Sequence, residues 1–184
     1  MAKRSVFCIA SSRGRADRIV HDLKEAGFSG TDLSVLFLDR VAGDGHAPTG
    51  KSVAAPEAKA ARPSGEIRGV LGWIAGICPV AIPGTGPLIG AGPVAAALSS
   101  TTRGGIAGGL TDFDVPQVEA GIYEGRIADG GLLISVHSEN PETSDQARGI
   151  FTENGAEHIF TMIEVSTPKP YLRSVGGPPR GSVA

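Results

Sequence analysis

Charge is absent from a long part of this chain. The 34 residues between Arg68 and Arg103 contain no Asp, Glu, Lys, Arg or His. Soluble monomers rarely expose an apolar patch of that size, so the stretch needs cover from the rest of the fold, from a second copy of the chain or from a lipid surface. The absence therefore argues against a solvated tether between two halves of the protein.

Cysteine, aromatic side chains and excess charge are scarce as well. The two cysteines, Cys8 and Cys78, form no Cys-x-x-Cys pair, and the four histidines lack zinc-ligand spacing, so we predict neither a disulfide framework nor a metal site. Aromatic residues make up 5% of the chain and the net charge is −2, which disfavours base stacking and a basic nucleic-acid-binding face. We therefore predict no nucleic-acid partner and no cofactor.

Proline interrupts the apolar stretch and limits what it can span. Residues 69–78, the piece before Pro79, would form a helix of about 15 Å, whereas a bilayer core is about 30 Å thick. The later piece contains Arg103, which is costly in hydrocarbon. The chain also opens with an apolar run of only about six residues, too short for a signal peptide. We therefore predict a cytoplasmic protein, with association with a membrane surface as an alternative.

What the chain does contain is a strand–helix–strand pattern near its start. Residues 6–10 and 33–38 are continuous apolar runs typical of buried strands. Between them apolar residues recur at the spacing of one helix face, and Gly27 follows as a helix-ending residue. The apolar face of this predicted helix consists of Ala16, Ile19, Val20, Leu23 and Ala26.

The same pattern returns near the end of the chain. Its predicted elements are a strand at 132–136, a helix at 141–154 and a strand at 159–163. Two β-α-β units packed together predict an α/β (α+β) fold of the ferredoxin-like type. In that architecture a four-stranded antiparallel sheet carries helices on one face.

The chain between the two units is interpreted as an insertion. The predicted divisions are a first half at 1–39, the insertion at 40–114, a helix with the second half at 115–166 and a disordered tail at 167–184. Within the insertion we predict a polar loop at 40–66 and an apolar Gly/Pro-rich hairpin of two short helices at 67–110, with its turn at 81–87. The next helix is predicted to start with Asp114 as its cap and Pro116 in its first turn.

Glycine spacing suggests how the hairpin packs. Gly72 and Gly76 are four residues apart, as are Gly86 and Gly90, so each pair would lie on one helix face and allow two backbones to approach. Packing within the protomer, contact with a second copy and contact with a membrane all remain open. The predicted residues of an oligomer or membrane contact are Gly72, Trp73, Gly76, Ile82, Leu88, Ile89 and Gly90.

Four segments together resemble a known family. They are Ala-Gly-Phe at 26–28 followed by Leu-Ser-Val at 33–35, Ala-Ile-Pro-Gly-Thr-Gly-Pro at 81–87, Val-Pro at 115–116 followed by Tyr123 and Gly125, and the strand at 132–138. With them, the chain from 6 to 165 resembles the bacterial general stress, or low-temperature-induced, proteins that carry a heat-induced-stress-type domain. The resemblance implies an association with stress and no established reaction, so it supplies no catalytic residues.

Two chemical motifs are weak. Gly45, Gly50, Lys51 and Ser52 satisfy the Walker A spelling, but the preceding strand ends several residues too early and Pro56 interrupts the helix that the motif requires. Cys8 and His137 would approach each other if their strands were neighbours, yet no third group is evident to orient a nucleophile–base pair. The Walker A match is interpreted as chance, Cys8 as a buried core residue and His137 as a surface residue.

The sequence therefore predicts a non-enzymatic, stress-associated, cytoplasmic protein. We expect it to form a homo-oligomer through its sheet, through the apolar hairpin or through both. A peripheral membrane module that inserts the hairpin is the main alternative. Nucleotide binding at 45–52 and small-ligand sensing are lesser ones, and the latter depends on analogy between folds alone.

Overall fold

The computed structural model describes residues 3–38, 74, 78–82, 85–100, 104–112 and 114–164. Its strands are β1 (Lys3–Ala10), β2 (Leu33–Leu38), β3 (Cys78–Ile82), β4 (Gly86–Ala91), β5 (Leu132–Ser138) and β6 (Glu157–Glu164). Its helices are α1 (Arg13–Glu25), α2 (Gly92–Ser100), α3 (Gly105–Asp112), α4 (Gln117–Ala128) and α5 (Pro141–Glu153). The predicted loop at 40–66, the Walker A-like residues and the tail at 167–184 lie outside the described residues.

The strands form one antiparallel sheet in the order β3-β4-β2-β5-β1-β6. The predicted α/β class is confirmed, and so are the strands and helices of both β-α-β units, apart from small extensions at their ends. Gly27 and Gly155, which follow α1 and α5, both have positive φ angles of 89° and 65°. Glycine adopts this backbone region without the steric penalty that other residues have, so both helices end where the sequence predicts.

One face of the sheet is covered by α1 and α5. Alternate strand residues such as Val6, Cys8 and Ile134 point to this face, which we call the first face. Ile19 and Leu23 of α1 and Phe151 of α5 complete its core, and all are buried. The period-3.6 stripe predicted for α1 is thus the surface that packs on the sheet.

The opposite face, here called the second face, is covered by α2, α3 and α4. Phe7 and Leu133 point to it from the sheet, and Leu98, Leu110 and Tyr123 pack on them from the three helices. The prediction of helices on one face of a four-stranded sheet is therefore wrong: the sheet has six described strands and helices on both sides. The strands β3 and β4 and the helices α2 and α3 come from the segment that was predicted as an insertion, and α4 follows it.

The predicted helical hairpin is wrong over residues 78–82 and 86–91, which form the antiparallel strands β3 and β4, whereas the helices α2 and α3 lie in its second part. Proline is tolerated at the places where it falls. Pro79 lies in β3, the strand at one end of the described sheet. Pro87 lies one residue outside the pairing of β4 with β2, which begins at Leu88. Neither proline therefore has to donate a hydrogen bond to a central pair of strands. Gly86 and Gly90 therefore share a strand rather than a helix face.

The start of α4 also differs from the prediction. Asp114, expected to cap the helix, has a positive φ of 62° and lies in the turn after α3. The helix begins at Gln117, and Pro116 occupies the cap position without a side-chain hydrogen bond. Val115 donates its N–H to the Leu110 carbonyl instead, so the residues before Pro116 close the α3–α4 turn.

Candidate functional site

The predicted contact residues of the apolar stretch divide into two groups. Gly72, Trp73 and Gly76 lie outside the described residues. Ile82, Leu88 and Ile89 are at most 7% exposed and Gly90 is buried, all of them in the protomer's own cores. Within the protomer the side chains of Ile82 and Leu88 are covered on the second face and that of Ile89 on the first face. Their role in an oligomer or membrane contact stays a prediction.

Gly90 shows why this part of the chain is glycine-rich. A Cβ atom added to Gly90 would lie 2.6 Å from the Ala95 Cβ on α2 and 3.1 Å from side-chain atoms of Leu36 and Val80. Real Cβ atoms do not approach that closely, so the bare backbone lets α2 rest directly on β4. The close approach expected between two helices is present, but it joins a helix to a strand.

Cys8 and His137 do not form the pair considered from sequence. Cys8 is fully buried on the first face, whereas the His137 ring contacts Phe7 on the second face, with 6.2 Å between ring centroids. Burial raises the pKa of the Cys8 thiol, which disfavours the reactive thiolate. Cys8 is therefore a core residue, as predicted, while His137 is half-buried rather than on the surface.

A polar cluster surrounds His137 instead. The Ser5 Oγ lies 2.8 Å from Nδ1, and the hydroxyls of Ser34 and Ser135 lie 3.2 Å and 3.0 Å from Nε2. All three serines are buried, and Ser34 also accepts the Val94 N–H at the start of α2. Buried hydroxyls need such partners, so the ring and the serines satisfy one another within an apolar layer.

This cluster borders a cavity of about 330 Å³ at the end of the sheet. The cavity lies where β5 ends and β2 begins, next to the first turns of α2 and α5. Its lining consists of Phe28, Thr31, Asp32, Pro93, His137, Ser138, Glu139 and Thr143. Besides the His137 imidazole, the lining contains two carboxylates, three hydroxyls, one phenyl ring and one proline. The cavity therefore suits a small polar molecule better than an apolar one.

A second candidate site is the free edge of β6. This strand pairs with β1 on one side and forms the end of the described sheet on the other. Ile163 on β6 is 50% exposed and, with Val118 on α4 at 75%, is one of two large exposed hydrophobic residues in the described chain. An edge strand with unpaired N–H and C=O groups is a template for pairing with another strand.

A bulge bounds the regular part of that edge. Phe7 pairs with Phe160 and Ile9 with Glu157, so His158 and Ile159 together stand opposite Cys8. His158 has a positive φ of 48°, and its carbonyl accepts a hydrogen bond of 3.0 Å from the buried Tyr123 hydroxyl. The bulge is thus fixed to α4, and the regular edge runs from Ile159 onward.

Sequence reasoning missed both sites for identifiable reasons. The three serines can be recognised in the sequence as polar residues inside apolar strands. Their convergence on His137 depends on the strand order β2-β5-β1, which the sequence alone does not reveal. The β6 strand was predicted, but not that it lies at an edge. In the described residues no group of three or more His, Cys, Asp or Glu residues could hold a metal ion, and none of the helices described is both long and apolar enough to cross a bilayer.

Compared with known proteins, the chain matches no family model, no curated protein and no solved structure. Its candidate sites are therefore argued from geometry alone.

Proposed function

We propose that this chain is a non-enzymatic, stress-associated protein that self-associates through the free edge of its sheet. The observation that carries the proposal is β6, an eight-residue strand whose outer side has no partner strand among the described residues and which exposes half of Ile163. The association with stress rests on the resemblance in residues 6–165. The other edge, β3, is less suited to pairing because it is shorter and contains Pro79.

A ferredoxin-like core belongs to the same proposal. The four strands of the two β-α-β units lie in the order β2-β5-β1-β6, and α1 and α5 share one face of them. On this view β3, β4, α2 and α3 are an insertion that extends the sheet on one side and helps α4 cover its second face. Because the insertion extends the sheet beyond β2, β6 is the strand at the opposite end of the described sheet.

The burial of strands β3 and β4 favours self-association over insertion into a membrane. A lipid-inserting hairpin needs apolar side chains that can leave the protein, whereas Ile82 and Leu88 are packed under α2 and α3 in the second-face core. Liposome flotation separates the two possibilities, since an inserting protein would rise with the vesicles and a self-associating one would stay behind.

Sedimentation velocity over a concentration series tests the proposal. We expect the mass to rise from that of one 18.7 kDa chain toward twice that value, and the variant Ile163→Lys to remain a single chain because a lysine on the edge opposes pairing. Val118→Lys is the matched control, since it places the same charge on the other exposed hydrophobic residue, outside the sheet. Equal behaviour of wild type and Ile163→Lys would contradict the proposal.

A second candidate function is the recognition of a small ligand in the cavity beside His137. A volume of about 330 Å³ lies at the lower end of the roughly 300–1,000 Å³ typical of ligand pockets. Asp32 and Glu139 provide negative charge at the lining, which favours an ammonium group, and the hydroxyls of Thr31 and Ser138 favour a polar remainder.

The ring signals of His137 provide the test of this second function. Small hydroxyl-bearing amines such as ethanolamine should shift them in NMR spectra, and the shift should weaken in Glu139→Gln. Unchanged spectra at millimolar concentrations of such amines would count against ligand recognition at this cavity.

A further inference from the structure

The types of side chain along β6 follow a similar order in both directions from its centre, and this pattern specifies how a second copy would bind. The segment Ile159-Phe160-Thr161-Met162-Ile163 has isoleucine at both ends, a large apolar residue on each side of the centre and threonine in the middle. We propose that two copies of the chain pair β6 with β6 antiparallel about a two-fold axis at Thr161. This inference rests on the proposed self-association and adds its register.

The geometry of the sheet restricts the choice of register. A two-fold axis that relates two antiparallel edge strands runs perpendicular to the sheet, so both copies keep the same face up. Directly opposed residues then share a face, which limits the pairing to registers centred on a residue rather than between two residues. The half-step register that would set Phe160 opposite Thr161 is excluded in this way, because these two residues point to different faces.

Among the permitted registers, the one centred on Thr161 matches the side chains best. It sets Ile159 opposite Ile163 of the second copy on the first face, and Phe160 opposite Met162 on the second face. Apolar cross-strand pairs of this kind stabilise antiparallel pairing. Ile163, now half exposed, would gain cover from Ile159 of the second copy.

The bulge selects the same register. Moving the centre to Phe160 would leave only residues 159–161 of the regular edge paired, because the bulge at His158 follows directly. Moving it to Met162 would set position 164, a glutamate in the sequence, opposite the apolar Phe160, which is a less favourable pairing than Phe160 with Met162.

The bulge limits the strength of this contact. Because His158 is held in the left-handed region and bonded to Tyr123, regular pairing extends over about five residues of each strand. Such a contact is small beside the roughly 1,600 Å² buried in stable complexes, so the expected dimer is weak and concentration-dependent. The bulge also marks one end of the paired segment, which hinders the strand from sliding to another register.

Disulfide trapping tests the register. Thr161→Cys places two thiols directly opposite each other across the axis, about 4.5–5.5 Å apart at Cβ, which a disulfide can bridge. Ile163→Cys is the matched control: it is more exposed, but its own copy lies four residues along the partner strand, about 13 Å away. Both variants also carry Cys78→Ser, and diamide serves as the oxidant.

We expect Thr161→Cys to shift from a single-chain to a double-chain band on a non-reducing gel, and Ile163→Cys to stay single. A mixture of Ile159→Cys and Ile163→Cys chains should crosslink, whereas each alone should not. Equal crosslinking of Ile163→Cys and Thr161→Cys overturns the register. A mass that depends on concentration without the Thr161→Cys crosslink also overturns the register but leaves self-association intact. A wild-type chain that stays single at all concentrations refutes the proposed function itself.

Discussion

The two faces of the sheet are covered by different kinds of sequence. The first face is covered by α1 and α5, in which polar and apolar residues alternate with the helical period. The second face is covered by α2, α3 and α4, and α2 and α3 together contain a single charged residue, Asp112. Both faces nevertheless bury their cores to the same degree. The extent of burial therefore does not indicate whether the structure of a segment can be predicted from its sequence.

The largest expected effect concerns whether the two faces unfold together. Leu23 on α1 and Leu98 on α2 are both fully buried, one in each core. Leu→Ala at either position should reduce the free energy of unfolding by about 2–5 kcal/mol. Because both cores rest on the same strands, we expect urea denaturation of each variant to show one transition with similar losses. A separate early transition in Leu98→Ala alone would show that the second face is an independent layer.

A smaller effect should distinguish a glycine that close packing requires, Gly90, from one with open space around it, Gly149. Gly90→Ala should reduce the free energy of unfolding by about 1–3 kcal/mol, because the added methyl group pushes α2 off β4. Gly149→Ala on α5 is the control, since nothing lies within 4 Å of a Cβ there, and it should increase stability by about 0.5–1 kcal/mol. Thermal melts of the pair provide the comparison, and a neutral Gly90→Ala would argue against the close packing of α2.

The next effect is a pH dependence from the first face. Burial raises the pKa of Cys8, while an unfolded cysteine ionises near pH 8.5. The protonated thiol therefore contributes its full stability below that pH, and the contribution declines as pH rises above it because the unfolded chain loses its proton first. The wild-type free energy of unfolding should fall more steeply than that of Cys8→Ala, by up to about 1.4 kcal/mol per pH unit.

Urea denaturation between about pH 8.5 and 10 measures that slope, starting from the ionisation range of an unfolded thiol. Tyr123, whose pKa is raised by burial and then by Glu119 and Cys8, is present in both chains, so the effects of burial and Glu119 cancel in the difference. Only its coupling to Cys8 remains, and that coupling belongs to the Cys8 contribution. Parallel curves for the two chains would mean that Cys8 is not shielded from ionisation in the folded state.

The smallest effect concerns a contact between two helices of the second face. Ala107 at the start of α3 donates its N–H to the Glu124 Oε2 on α4, at 2.8 Å. Glu124→Gln keeps an acceptor oxygen but removes the charge that favours a helix N-terminus, so we expect a loss of about 0.5–1 kcal/mol. The loss should shrink in 1 M salt, which screens the charge, and a loss that salt does not change would point to packing instead.

The same contrast explains how much of the molecule could be predicted. The α1 stripe, Gly27 and Gly155 were predicted correctly because each is a local feature with a local cause. The segments 78–82 and 86–91 were misassigned because a uniformly apolar run has no periodicity. A turn between two helices was preferred although Val80, Ile82 and Ile89 are β-branched residues typical of strands.

The candidate sites depend on neighbours that are distant in sequence. Ser5, Ser34 and Ser135 meet at His137 only because β5 lies between β1 and β2, and β6 becomes an edge only because β5 occupies the other side of β1. The symmetry about Thr161 is visible in the sequence, but it acquires meaning only once β6 is known to lie at the end of the described sheet.

Amide hydrogen exchange over residues 159–163, measured across a concentration series, tests the central claim most directly. Pairing of β6 with a second copy should slow exchange in this segment as concentration rises, while β2 and β5 in the middle of the sheet stay unchanged, and Ile163→Lys should abolish the dependence. Exchange over 159–163 that is the same at every concentration would contradict self-association through this edge.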